Sequence, residues 1–274
     1  MKIELNANEK VFVCIPASML EDSECNAITI ALMCYLQIRR GMDGNAIFTI
    51  ADAVKWMGKK QNHNAMGINS RLIQALYWLS ERHYIDFLED PKGKQVVFVR
   101  VNNNALYHNR INSRVMKYAI IYLDELDKLT SYHDQKRNES CRFESILKTL
   151  VWLRIVICRR KNEDNNIERY PEIAYSYLNR MGSELGMSEK MVSNTVAALE
   201  EMKIIYVKHA EKYKVGNKWK YGTTLFCNYY KRDGKTLIAY GKDYYDAEIK
   251  AGERMLEDRI QKGIEYNEDI EITK

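Results

Sequence analysis

Residues 176–199 read Ser176-Tyr177-Leu178-Asn179-Arg180-Met181-Gly182-Ser183-Glu184-Leu185-Gly186-Met187-Ser188-Glu189-Lys190-Met191-Val192-Ser193-Asn194-Thr195-Val196-Ala197-Ala198-Leu199. Leu178, Met181 and Leu185 recur at helical spacing and give one short helix a packing face, with Ser176 placed to cap it. Gly186 ends that helix in a tight turn, because a residue without Cβ takes positive φ at little cost. Met187 plugs the turn, Ser188 caps the next helix, and Val192, Val196 and Leu199 form its packing face.

The same plan occurs earlier in the chain. At an offset of 120, Leu79-Ser80-Glu81-Arg82-His83-Tyr84-Ile85 aligns with Leu199-Glu200-Glu201-Met202-Lys203-Ile204-Ile205, and Leu72 and Leu76 match Val192 and Val196. Upstream, Val11–Ile15 and Tyr118–Tyr122 read as corresponding short strands. A long helix follows each. One is expected over Cys25–Arg40 with Gly41 as a left-handed C-cap, the other over Ser140–Arg160 with Phe143, Ile146, Leu147, Leu150, Leu153 and Ile157 on one face. Thr49 and Asp52 have the spacing of a reciprocal cap for a short helix over Ile50–Met57, ending at Gly58. Hairpins close both copies: Tyr84–Leu88 and Gln95–Val99 around Asp90-Pro91-Lys92-Gly93, then Ile205–Val207 and Thr223–Phe226 around a longer tip with Gly216-Asn217 and Gly222. The first copy departs at Lys59-Lys60-Gln61-Asn62-His63-Asn64-Ala65-Met66-Gly67, which is long and polar for a tight turn, so its second helix is expected to start late or sit differently.

Three helices and a hairpin in this order resemble the winged-helix arrangement, a helix-turn-helix followed by a β-wing. Over most of residues 10–230 the chain resembles the N-terminal region of plasmid and phage replication initiators of Gram-positive bacteria. It is also similar to the winged-helix part of primosomal proteins that load helicase. The fold expected is α+β and mostly helical, with two tandem winged-helix domains and a C-terminal helical acidic tail. Domain 1 is expected at 1–105, a linker with strand and helix at 106–139, domain 2 at 140–235, and the tail at 236–274.

If these are DNA-binding domains, the outward side chains of each second helix face base edges in the major groove. In the second copy these are Lys190, Ser193 and Asn194; the offset of 120 selects Asn69, Ser70, Arg71 and Gln74 in the first. Lys212-Tyr213-Lys214-Val215-Gly216-Asn217-Lys218-Trp219-Lys220-Tyr221 alternates lysines with aromatics, which in a β-ribbon is expected to set Lys212, Lys214, Lys218 and Lys220 on one face and the rings largely on the other. Such a lysine row is suited to neutralising phosphates; packing of the rings and edge protection by the lysines is the competing explanation. Lys59 and Lys60 are further phosphate candidates. A solvated helix face remains the alternative for the helical residues.

Charge is segregated. Lys203–Lys235 carries nine Lys or Arg against Glu211 and Asp233, a net +7, whereas Asp243–Lys274 carries ten acids against five cations, so the whole chain is only +5. The tail pattern of Tyr244, Ile249, Met255 and Ile260 suits docking on its own domain, dimerisation or recruitment of a partner. Six cysteines without a C-x-x-C pair read as free buried thiols. No G-x-x-x-x-G-K-[ST] occurs and the five histidines are scattered, so no catalytic residue, metal site or cofactor is expected, and the chain reads as non-enzymatic. With no export-type N-terminus and no run near membrane-spanning length, a cytoplasmic location is expected. The function expected is sequence-specific binding of double-stranded DNA in replication initiation of a plasmid, phage or other mobile element. Its expected partners are DNA, a replicative helicase or other replication protein, and a second copy of the chain, but no membrane. A transcriptional regulator and a primosomal docking module are the alternatives.

Overall fold

A computed structural model of the protein describes residues 2–4, 11–91, 96–102, 118–136, 142–163, 173–208, 212–215, 218–221, 224–233, 236–239, 250 and 254. The chain is α+β, with eight helices and small antiparallel sheets among these residues.

The first half runs α1(Ala17–Glu21), α2(Ala27–Arg39), β3(Asn45–Thr49), α3(Ile50–Trp56), α4(Ile68–Glu81), β4(Ile85–Phe87) and β5(Val96–Val101), preceded by β1(Lys2–Glu4) and β2(Phe12–Pro16). The second half begins with β6(Tyr118–Tyr122) and α5(Leu123–Lys136), and continues α6(Phe143–Glu163), β7(Ile173–Ser176), α7(Leu178–Leu185), α8(Glu189–Glu201) and β8(Ile205–Lys208). Then follow β9(Lys212–Val215), β10(Lys218–Tyr221), β11(Thr224–Asn228), β12(Tyr230–Asp233) and β13(Thr236–Ala239). Helix, strand, helix, helix and hairpin strands thus occur twice, and each sheet has the same order: β3-β5-β4 and β7-β11-β8, the strand ahead of the helix pair lying beside the last hairpin strand. A further sheet, β1-β13-β12, joins the N-terminal strand to the chain after the second hairpin.

Strands β3 and β7 are absent from the sequence expectation. They are five and four residues long. Ala46 and Phe48 point into the core while Ile47 is exposed, the period of a half-buried strand.

Three expected helix boundaries change. Gly41 does not cap α2: Arg40 turns extended (φ −69, ψ 138) and bridges Ala46, and the positive φ of the connection falls on Gly44 at 80°. Asn26 caps α2 at its start by accepting from the amides of Ile28 and Thr29. Ser176 does not cap α7; it is a buried strand residue whose hydroxyl donates to the Tyr177 carbonyl, and Tyr177 holds the cap position without a side-chain bond. Ser140 lies outside the described residues, as do the tip glycines Gly216 and Gly222, the turn residues Lys92 and Gly93, and the tail apart from Thr236–Ala239, Lys250 and Arg254; Thr236–Ala239 corrects the expectation of a helical tail, since it is the strand β13.

The corresponding strands β2 and β6 pair directly and antiparallel, Cys14 opposite Ile120, so the halves meet through equivalent elements. Gln37 of α2 closes the outer edge of β2: the Cys14 amide donates to Oε1 at 2.9 Å and Nε2 donates to the Cys14 carbonyl at 2.6 Å. This satisfies a peptide that would otherwise be a buried orphan. Beneath the ribbon α2 packs on α6, with α4 against α2 and α8 against α6. One continuous apolar core results, from Val13 through Leu36, Leu76, Leu150 and Val196 to Phe226. Ile173, Leu225 and Cys227 form a smaller cluster on the other face of the second sheet.

Candidate nucleic-acid interface

In the second half, Gly186 takes φ 63° and closes α7, and the Met187 amide donates to the Gly182 carbonyl at 2.8 Å. Ser188 then accepts from the Met191 amide at 3.2 Å and starts α8. Gly182 is required for a reason the sequence pattern did not disclose: a Cβ there would lie 2.7 Å from the Met187 carbonyl oxygen. With Val192, Val196 and Leu199 buried, Lys190 and Ser193 are exposed and Asn194 is half-buried. The helix pair is held from below by α6: the Thr149 and Thr195 hydroxyls lie 2.9 Å apart, and Trp152 Nε1 donates to Glu184 at 2.9 Å.

The first half reaches a similar helix pair by a different turn. Thr49 accepts from the Asp52 amide at 3.0 Å, the N-cap that the sequence indicated, while Asp52 answers through the Thr49 hydroxyl, which donates to its carboxylate at 2.7 Å. Gly58 takes φ 67° after α3. The turn that follows is organised by three asparagines and a glycine. The Asn62 amide donates to Asn69 Oδ1 and the Asn69 amide to the Asn62 carbonyl, the Asn64 amide donates to Asn62 Oδ1, and the Gly67 amide donates to the Asn64 carbonyl. A Cβ on Gly67 would sit 2.2 Å from the Asn62 carbonyl oxygen.

Among the first-half residues selected by offset, Arg71 and Gln74 are exposed. Ser70 is half-buried and its hydroxyl donates to the Asn64 carbonyl. Asn69 corrects the expectation: it is 6% exposed and its amide oxygen is occupied by the turn, because the long connection folds back on the first turn of α4 and is tied to it by the Asn62 and Asn69 bonds. Lys59 is corrected likewise, since its ammonium lies 2.9 Å from the buried carboxylate of Glu144 on α6. Lys60 is exposed.

The ribbon β9–β10 also departs from expectation. Its register sets Lys214 opposite Trp219, Lys220 opposite Tyr213, Lys212 opposite Tyr221 and Lys218 opposite Val215. Directly opposed residues of an antiparallel pair share a face. Positions Lys212 and Lys214 therefore fall on one face with the two aromatic positions of β10, and positions Lys218 and Lys220 on the other. Basic and aromatic positions are distributed over both faces.

Among the described residues no group of three His, Cys, Asp or Glu could hold a metal ion, and no helix is long and apolar enough to cross a membrane. Cys14, Cys25, Cys34 and Cys227 are buried and in no disulfide. Burial pushes the thiols of Cys14 and Cys25 up to about 11 and about 12 and raises Cys34 further, opposite to the activated thiolate of a nucleophile. No protein-family model matches the chain, and no curated protein matches it.

Proposed function

We propose that the protein binds double-stranded DNA sequence-specifically through two winged-helix domains, within replication initiation of a plasmid, phage or other mobile element in the cytoplasm. The observation that carries this reading is the repeated helix, strand, helix, helix, hairpin order with one sheet order in both halves. It presents α4 and α8 as the second helices of two helix-turn-helix units, the elements that enter a major groove in proteins of this architecture.

The arrangement of the halves supports an extended site. α4 packs on α2, α2 on α6 and α6 on α8. Two non-identical units in one chain suit an extended or repeated site without requiring a symmetric dimer. The basic stretch Lys203–Lys235, net +7, includes the second hairpin and supplies charge for phosphate contacts. Replication initiation is favoured over transcriptional regulation by the resemblance of residues 10–230 to initiators. The replication partner implied is a helicase or other replication protein, with a second copy of the chain as a further partner.

Fluorescence anisotropy of the full chain on a random-sequence duplex, across a salt series, tests the reading. Binding that weakens with salt, with a shallower slope for Lys214→Ala/Lys218→Ala/Lys220→Ala, is the result expected. No binding even at low salt overturns it and leaves a docking module.

A further inference from the structure

The two helix-turn-helix units have similar backbones but differ in charge and in turn. Over its helix pair, Ile50–Glu81, the first unit carries Lys55, Lys59, Lys60 and Arg71 against Asp52 and Glu81, a net +2; over its own, Leu178–Glu201, the second carries Arg180 and Lys190 against Glu184, Glu189, Glu200 and Glu201, a net −2. Placement sharpens the contrast. Lys60, Arg71 and Gln74 are exposed on the first unit. On the second, Arg180 is engaged by Glu184 at 2.9 Å, and exposed Glu189 occupies the first turn of α8 beside Lys190. That first turn is the part of a reading helix nearest the groove. A carboxylate there meets the field of the phosphates with the wrong sign.

The turns differ in the same sense. The second unit uses a tight turn whose two functional residues, Gly186 and Met187, serve the fold. The first uses nine residues, 59–67, whose backbone is fixed by the Asn62, Asn64 and Asn69 bonds while Lys60, Gln61 and His63 remain exposed. A polar loop fixed from within and open outward has little ordering left to lose on binding, which favours affinity.

Resting on the DNA-binding reading, we infer that the groove contacts are divided unequally: the first half makes them, through Lys60 and its neighbours on the preformed turn and Arg71 and Gln74 on α4, and α8 contributes no phosphate contact. The second half then holds DNA through its basic hairpin rather than its helix. The ligand of this surface is the phosphate backbone and base edges of duplex DNA, with Lys60 and Arg71 placed for phosphate and Gln74 suited to adenine.

The test compares wild type, Lys60→Ala/Arg71→Ala and Lys190→Ala as full chains on a random-sequence duplex, reading the dependence of log affinity on log salt. Each phosphate contact contributes about 0.9 to that slope. The double variant is expected to be shallower by about 2, with its thermal midpoint unchanged, and Lys190→Ala is expected to keep the wild-type slope. Lys60→Gln/Arg71→Gln, which retains side-chain length, should behave as the alanine pair does. Wild-type slopes in both double variants, or a loss in Lys190→Ala as large as theirs, overturns the division of labour alone. Failure of the wild type to bind duplex at any salt overturns the DNA-binding reading itself and this inference with it.

Discussion

The hydroxyl oxygens of Thr149 and Thr195 lie 2.9 Å apart in the core, both residues fully buried where α6 crosses α8. Each hydroxyl also has a carbonyl of its own helix in reach, Ser145 at 3.0 Å and Val192 at 2.9 Å. A single hydroxyl left behind can still donate to its carbonyl, so neither residue depends wholly on the other. Thr195→Val should therefore cost about 1 kcal/mol, and the Thr149→Val/Thr195→Val pair less than the sum of the two single changes. A double-mutant cycle by urea denaturation measures this. Strict additivity would show that the hydroxyls do not interact.

The turn before α4 separates folding from binding. Asn69→Ala removes the acceptor for the Asn62 amide and should cost about 1–2 kcal/mol of stability. Gly67→Ala drives a methyl group into the Asn62 carbonyl and should cost about 2–3 kcal/mol, since backbone cannot step aside as a side chain can. Gln74→Ala, on the exposed face of α4, should leave unfolding unchanged and alter only affinity for DNA. Thermal unfolding beside anisotropy distinguishes these outcomes, and a stability loss in Gln74→Ala equal to that of Asn69→Ala would contradict the separation.

Lys59 belongs to the joint between halves. Its partner Glu144 has a side chain 5% exposed, and the other carboxylate oxygen, Oε2, is buried without a hydrogen-bond partner among the described residues. Lys59→Ala leaves that buried charge uncompensated and should destabilise by about 2–3 kcal/mol, tempered by the partial exposure of the lysine. The double change Lys59→Met/Glu144→Met should recover most of the loss, because it removes the buried charge along with its partner. If Lys59→Ala instead weakens DNA binding at unchanged stability, the lysine is a phosphate contact after all.

The parts of the fold legible in the sequence were those specified by local chemistry. Gly186, Met187 and Ser188 fix the second turn through bonds within a few residues, and Thr49 and Asp52 cap α3 through each other. The parts that were not legible depend on partners distant in sequence or on register. Alternation within β9 and within β10 puts lysines in phase on each strand, but placing all four on one face requires a lysine of one strand opposite a lysine of the other, as in Lys214 opposite Lys218. The observed pairing is one position away, Lys214 with Trp219, and that shift sends the two lysine pairs to opposite faces. Asn69 was misplaced because a shared offset carries a helix face from one copy to the other only where the preceding turns correspond, and α4 and α8 start within one residue of each other at that offset but follow different turns. In the first copy the long turn recruits the start of α4 into its own hydrogen bonds. The direct pairing of β2 with β6 left no trace in either strand, whose alternation would be the same against any partner.

Buried thiols make the fold sensitive to alkali. Cys14, Cys25 and Cys34 are 5%, 2% and 0% exposed, and burial raises all three, Cys14 to about 11 and Cys25 to about 12, from an unfolded value of 9.0. A raised folded pKa means that the stabilisation is complete below about pH 9 and declines above it, as the unfolded chain loses thiol protons that the native state retains. Each thiol steepens the decline by about 1.4 kcal/mol per pH unit until its folded pKa is reached. Lys148 acts in the other direction. Burial holds its ammonium below the usual 10.5 while Nζ donates to the Cys25 carbonyl at 3.0 Å, so the unfolded state binds the extra proton there and stability rises with pH just below 10.5. Three thiols against one lysine leave a net fall. Urea denaturation at pH 8, 9 and 10 should show decreasing stability, and Cys34→Ala should be less stable at pH 8 yet lose less between pH 9 and pH 10. A stability flat across this range would mean that the thiols ionise in the folded protein as readily as in the unfolded chain, and the burial argument would fail.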